Sequence, residues 1–402
     1  MAEKNKEKKS IVVTVDMGGS QNKVIAQIYP DGYPQTVILD SEIADVSAAS
    51  LRSISNEGKP ESRVWVGIGD EYYVLGTLAR HQFKGITQLK ELKYELAVPK
   101  ICGLIWLVKE KLNLGSNFSV YLNVLLPPGE VQDKDQLQLR LKETFKGFDT
   151  PAGKIKIKLV NFNAVSEGSG IYFHFKHSRS GIVPTSLFVM MGYRNASTFL
   201  VRDGVPGRGV TSDLGMSWLV NSFVSKVSGL NSDDFGVVEA MVASGKDCDP
   251  VVLERLSRKR KPAEIKADGE FMCSALVIAR DEYWRAIARW LRSCAESDVR
   301  ELVFCGGTAD YIQPEIDAYC EKEGFKVSWH GNINVPTKIT MGLGSRMADV
   351  YALHQYCVCE LDKLIDYKER KDNEFVKQIK HQSSSVTSNS NQKGFLMMAD
   401  NI

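Results

Sequence analysis

The stretch Ile11–Tyr29, IVVTVDMGGSQNKVIAQIY, decides how the rest of the chain is read. Ile11–Val15 is rich in β-branched side chains and runs into Asp16. Gly18 and Gly19 follow, then Ser20, Gln21 and Asn22, then Lys23 and a second apolar run. Apolar residues at β spacing around turn residues predict a hairpin with strands Ile11–Val15 and Lys23–Tyr29. The tip has a chemical reading. Glycines remove the Cβ atoms that keep a polyphosphate from backbone N–H groups, and small polar residues add donors. Lys23 would balance phosphate charge, and Asp16 would hold Mg2+ through its waters, the usual mode for this cation. The same residues also describe a plain hairpin with a polar turn and a surface lysine, so the stretch alone leaves both readings open.

A similar pattern recurs at Ser186–Gly204, SLFVMMGYRNASTFLVRDG. Laid over the first hairpin without gaps, Gly192 falls on Gly18, Met191 on Met17 and Met190 on Asp16. A shared strand–turn–strand frame at the head of each half suggests an internal duplication. Each half then turns helical. Glu91–Gly115 carries apolar residues at helical spacing, with Pro99 as a break or a first-turn residue. SVYLNVLLP, from Ser119, is a strand leading into the turn PPGE. In the second half, SDLGMSWLVNSFVSKVSG predicts a helix opened by Ser212 or Asp213 and closed near Gly229. RDEYWRAIARWLRSC is a strongly amphipathic helix that feeds VRELVFCGGTADYIQPEIDAYC, a strand, a glycine pair and another helix. Strands alternating with helices in both halves predict an α/β fold with two sheets. The basic run RLSRKRKPAEIK, from Arg255, reads as a solvated helix face.

Composition bounds the function. At 402 residues the chain is long enough for two domains or two lobes, and 43% hydrophobic with 25% charged residues is ordinary for a soluble globular protein. A net charge of +2 makes no electrostatic case for direct nucleic-acid binding. Eight cysteines are scattered without a metal-ligand grouping. They read as reduced core thiols of a cytoplasmic protein. No secretory signal is visible at the start, and the longest apolar run, ICGLIWLV from Ile101, is too short to span a bilayer.

Three further pieces follow in order. NAVSEGSGIY, from Asn163, follows the strand IKIKLVNF and carries Glu167 in a small-residue turn before a helix. The second hairpin comes next, and LVFCGGTADYI lies later still. With these, the sequence resembles the actin-like ATPases, most closely the ParM-type plasmid-segregation filament proteins, over roughly residues 11 to 380. The resemblance implies an actin-like, ribonuclease H-like duplicated α/β fold, with two lobes around a nucleotide cleft and smaller inserted subdomains. Asp16, Gly18, Gly19, Ser20, Gln21, Asn22 and Lys23 look like the family's first phosphate hairpin, with Asp16 the Mg2+ residue. Glu167 falls where the family places the residue that orients the attacking water. Gly192, Tyr193, Arg194 and Asn195 sit where the second hairpin belongs. The segment from Cys305 through Gly306, Gly307 and Thr308 looks like the adenosine-binding turn. SDLGMSWLVNSFV, with Gly215, resembles the helix entering the nucleotide cleft, and TMGLGSRMADVYAL resembles the second connecting helix.

The expected organisation is a disordered segment 1–10, then a first lobe 11–175 with an insertion at about 41–100. A second lobe 176–380 follows, with an insertion at about 231–267 and a final helix returning toward the first lobe, then a disordered tail 381–402 ending in FLMMADNI. The resemblance further implies ATP or GTP with Mg2+, a homopolymeric filament, hydrolysis that weakens it, and a DNA-bound adaptor protein as partner. One position departs from the family. Met190 stands where the second hairpin usually starts with an aspartate that contacts Mg2+ or its waters, so hydrolysis is expected to be slow, with Arg194 as a substitute phosphate contact. A nucleotide-binding scaffold with little turnover and a small-molecule kinase of the same fold are the alternatives.

Overall fold

The computed structural model describes residues 9–54, 57–87, 96–179 and 184–365. The expectations for the first eight residues, for the beginning of the helix expected from Glu91 and for the tail with its Phe395–Met398 cluster lie outside them. The chain divides into two compact units. One comprises residues up to Gly181 together with those from Asn332 onward, and the other is Ile182–Gly331.

The first unit holds β1 (Ser10–Met17), β2 (Gln21–Tyr29), β3 (Gln35–Asp40), β4 (Ile43–Val46), β5 (Trp65–Ile68) and β6 (Glu71–Leu75). It continues with β7 (Asn117–Leu126), β8 (Phe148–Thr150) and β9 (Gly153–Ser166). They form one sheet in the order β3-β2-β1-β7-β9-β8-β5-β6-β4. β1 to β3 pair antiparallel, whereas β7 joins β1, and β9 joins β7, in parallel. The second unit holds β10 (Ser186–Met191), β11 (Ala196–Arg202), β12 (Val205–Pro206), β13 (Val210–Ser212), β14 (Glu301–Cys305) and β15 (Lys326–Trp329). Its order is β12-β11-β10-β14-β15, again with antiparallel pairing on one side of the lead strand and parallel pairing on the other. The two sheets are therefore built on one plan: a hairpin with a third antiparallel strand, then two parallel strands beside the first. The suggested duplication is a duplication of topology.

The lead strand shows how sequence becomes placement. β1 is paired on both edges and buried along nearly its whole length, and its apolar residues concentrate on one face. Ile11, Val13, Val15 and Met17 join the core that includes Ile101, Leu104, Ile105 and Trp106 of the helix Ala97–Lys111. Side chains alternate along a strand, so Val12, Thr14 and Asp16 point the other way. On that face Val12 packs with Val358 and Leu361 of the helix Ala348–Ile365. Thr14 Oγ1 and His354 Nδ1 are 3.0 Å apart, His354 Nε2 is 3.1 Å from Gln27 Oε1, and the Tyr29 hydroxyl donates to Asp362 at 3.0 Å. This polar set matches the helix to β1 and β2 without leaving the buried imidazole unsatisfied. Asp16 thus belongs to the face covered by the chain's last described helix.

Several local expectations change. The first hairpin is longer than expected, because Met17 still pairs with Asn22 and only the tip is left unpaired. Pro99 occupies the first turn of the helix Ala97–Lys111, where its missing N–H has no carbonyl to serve. Ser212 does not open a helix. It ends β13, opposite Ala196, and the helix Met216–Lys226 starts at Gly215 without a side-chain cap. The amphipathic stretch at Arg280 is the second half of a longer helix, Pro262–Cys294. Only the last part of the basic run lies on that helix, since Ser257–Lys261 is not helical and Pro262 begins it. None of the eight cysteines forms a disulfide, and burial pushes the Cys357 and Cys320 thiols up to about 12.

Candidate functional site

In the first unit, hairpin geometry puts Asp16 and Lys23 directly opposite each other at the ends of β1 and β2. Lys23 Nζ lies 2.5 Å from Asp16 Oδ2 and also donates to the Arg346 carbonyl at 3.1 Å. Arg346 in turn donates to the Ser20 hydroxyl at 3.0 Å. The hairpin tip is therefore tied to the turn that precedes the helix Ala348–Ile365. Gly18 is required by the turn itself, since a Cβ there would come 2.6 Å from the Gln21 carbonyl oxygen. The Gly19 carbonyl accepts from Ser41 Oγ at 2.7 Å, and Asn22 Nδ2 donates to the Asp40 carbonyl at 3.1 Å. Among the described residues, the buried side-chain oxygens of Gln21 and Asn22 find no hydrogen-bond partner.

Glu167 follows β9 and precedes the helix Ser169–His177. Its backbone N–H is held by the Leu126 carbonyl at 2.8 Å, at the end of the neighbouring parallel strand β7. Beside it stands a carboxylate that motif reading missed, Asp349. The Gly168 N–H donates to Asp349 Oδ2 at 2.6 Å and the Ile171 N–H to Oδ1 at 3.2 Å. Burial pushes the Asp349 carboxyl up to about 7, with the charges of Asp16 and Glu167 acting the same way and the two N–H groups opposing them. Asp349 is thus near enough to Asp16 and to Glu167 to feel the charge of each. No local pattern announces this, although Asp349 and Arg346 both lie in the quoted segment TMGLGSRMADVYAL.

In the second unit, Met190 is opposite Ser197 and beside Cys305, just as Asp16 is opposite Lys23 and beside Leu125. Met190 therefore occupies the strand position equivalent to that of Asp16, and it is buried. The turn closes with the Gly192 N–H donating to the Asn195 carbonyl at 3.0 Å. The carbonyls of Gly192 and Tyr193 accept from the N–H groups of Met216 and Ser217, at 3.1 and 2.9 Å, and the Arg194 carbonyl accepts from Ser217 Oγ at 3.4 Å. Gly215 permits this seating, because a Cβ on it would lie 2.3 Å from the Arg194 carbonyl carbon. The Tyr193 ring leans toward Phe235, 6.3 Å between centroids.

The glycine turn after β14 meets the same hairpin. Thr308 Oγ1 donates to the Gly192 carbonyl at 2.9 Å. Gly306 has φ 98 and ψ 151, a region open almost only to glycine, and a Cβ would lie 2.3 Å from the Met191 carbonyl oxygen. Gly307 begins the short helix Gly307–Tyr311. Asp310 on it contacts His330 Nε2 at 2.7 Å. Arg280, buried, secures the end of that helix through Glu315 at 2.5 Å and the Tyr311 carbonyl at 2.9 Å. The hairpin, the glycine turn and the start of the helix Met216–Lys226 thus converge at the carboxyl end of parallel β10 and β14, the end of an α/β sheet where ligands bind.

In the first unit Gly18 keeps the hairpin tip tight beside the Asp16 carboxylate, and in the second unit Gly306 brings the turn close against the second hairpin. Among the described residues, no group of three or more His, Cys, Asp or Glu side chains is placed to hold a metal ion.

The architecture is that of actin-like proteins. A 15-stranded ParM filament from Clostridium botulinum matches with a TM-score of 0.55 at 16% identity, covering 86% of this chain and 98% of that one. The archaeal actin homologue Ta0583 matches at 0.56 and 15% identity, covering 86% and 99%, and its complex with ADP matches as well. The Alp12 filament matches at 0.54 and 13% identity, covering 88% and 99%. No family model matches the chain, and no curated protein sequence does. At these identities the likeness establishes the fold alone: this chain has the actin-like architecture, and its overall structure is similar to those of the ParM and Alp12 filament proteins. Among the described residues, no helix is long and apolar enough to cross a membrane.

Proposed function

We propose that the protein is a cytoplasmic, nucleotide-dependent filament of the plasmid-segregation type, which polymerises with bound ATP or GTP and hydrolyses it slowly. The observation that carries this reading is the hairpin bearing Asp16, Gly18 and Lys23 at the end of the lead strand of a duplicated sheet, in a fold matched to two filament structures. Asp16 would hold Mg2+ through its waters, and Lys23 would meet the phosphates. Glu167 would orient the attacking water, a task in which placement and electrostatics do most of the catalysis. Gly192 to Asn195 would approach the phosphates from the second hairpin, and Gly306 to Thr308 the nucleoside. A DNA-binding adaptor would supply the DNA contacts that a net charge of +2 does not favour.

Negative-stain microscopy with and without MgATP or MgGTP tests this reading. Filaments that form only with nucleotide are expected, and their absence under both nucleotides would overturn it. Buried Met190 supports a second reading, a nucleotide-bound scaffold with little turnover. Light scattering and phosphate release followed in one sample separate the two.

A further inference from the structure

The helix Ser169–His177 begins with its donors exposed to loss. Gly168 at its N-cap has no side chain, its first turn holds no acidic residue, and no local side chain caps it. The first four N–H groups of a helix find no partner within it. Here two N–H groups of this first turn are served by Asp349, from 181 and 178 positions along the chain. The contact is tight. Gly170 packs so closely on the helix Ala348–Ile365 that a Cβ would stand 2.1 Å from the Asp349 carbonyl oxygen and 2.6 Å from the Leu353 nitrogen.

The consequence falls on Glu167. Its own N–H is fixed to Leu126 at the end of β7, and the next N–H, that of Gly168, is fixed to Asp349. The peptide that carries Glu167 is therefore held from both sides, by a strand end and by the connecting helix. Gly168 itself has φ 89, a conformation glycine adopts freely and would leave as freely without the second anchor.

We propose that Asp349 is a positioning residue for Glu167: by accepting from Gly168 and Ile171 it sets the turn from which Glu167 acts. The proposal rests on the reading of Glu167 as the water-orienting residue. Asp349 touches no reacting atom in this scheme and works only through that turn.

Full-length parent, Glu167→Gln, Asp349→Ala, Asp349→Asn and the Glu167→Gln/Asp349→Ala double variant are compared with MgATP, and with MgGTP. Phosphate release, nucleotide affinity and, without nucleotide, amide exchange are measured. Asp349→Ala is expected to lower kcat by about tenfold to a hundredfold, with KM and affinity within about threefold. Asp349→Asn, which keeps one acceptor oxygen, should recover part of the loss, and it stands in if the alanine variant fails to fold. The double variant should be no slower than Glu167→Gln alone, because both changes remove one function. Amide exchange should quicken at Gly168 and Ile171 while β1 stays protected. Parent-like kcat and protection in the Asp349 variants, or additive losses in the double variant, would overturn the proposal while leaving Glu167 intact. A parent-like Glu167→Gln, or a parent that releases no phosphate, overturns the reading of Glu167 and the proposal with it.

Discussion

Asp16 and Lys23, cross-strand partners at the end of the first hairpin, hold each other at 2.5 Å with little exposure to solvent. The pair explains why a carboxylate and an amine occupy one hairpin tip: each is the other's partner, and both are presented at the end of the sheet. The lysine is braced a second time by the Arg346 carbonyl. It is therefore positioned before any ligand arrives, which reduces the ordering cost of binding.

Replacing Asp16 by Ala is expected to abolish assembly that depends on Mg2+ and nucleotide. The cation loses its proposed carboxylate anchor, and Lys23 loses its partner. Sedimentation with MgATP or MgGTP is the measurement. Unchanged pelleting would remove Asp16 from the site.

Met190→Asp introduces a carboxylate at the strand position equivalent to Asp16. Phosphate release should rise by about tenfold, up to a hundredfold, if a charge-assisted contact is gained in the transition state. Met190 is buried, so the nucleotide-free variant should lose stability, by about 1–3 kcal/mol. A Met190→Leu control should change neither quantity much. An unchanged rate in the aspartate variant would mean that a carboxylate at this position does not contribute to turnover.

Gly306→Ala should weaken nucleotide binding by at least about tenfold, since the backbone conformation alone costs about 1–3 kcal/mol for a residue with a Cβ. The added carbon would also stand 2.3 Å from the Met191 carbonyl oxygen, moving the second hairpin away from the turn. Equilibrium titration with a fluorescent nucleotide analogue reads the effect. Parent-like affinity would separate this turn from the binding site.

Asp349 makes a signed prediction for the nucleotide-free chain. Its carboxyl is raised from 3.8 to about 7, mainly by burial, so between those values the folded chain holds a proton that the unfolded chain has released. Stability from this group is therefore present in full below about pH 4 and lost as pH rises through about 7. Asp349→Asn lacks that loss. Relative to the parent, the variant should gain on the order of 1–4 kcal/mol between pH 4 and pH 8, read from urea midpoints in parallel. Parallel pH profiles for the two chains would contradict the shift.

The sequence by itself determined the local elements and their order. β-branched runs broken by Gly18–Gly19 and by Gly192 specify hairpins, and the recurrence of that frame specifies two similar halves. Glu167 after a strand, and Gly306–Gly307 between a strand and a helix, are visible because turn chemistry is local and depends on residue type. Helix starts were less legible. Ser212 resembles a cap, yet it pairs in a sheet, because a partner strand at Ala196 offers its backbone more than a helix end would. Tertiary structure alone decided which charges meet. Alternation along β1 sends Asp16 to the face of the helix Ala348–Ile365, and the close approach at Gly170 sets Asp349 under the Gly168 turn. Asp16 and Asp349 are far apart in the chain, and no periodicity or spacing links them. Their electrostatic coupling depends on distance and dielectric, which exist only once the helix is packed against the sheet.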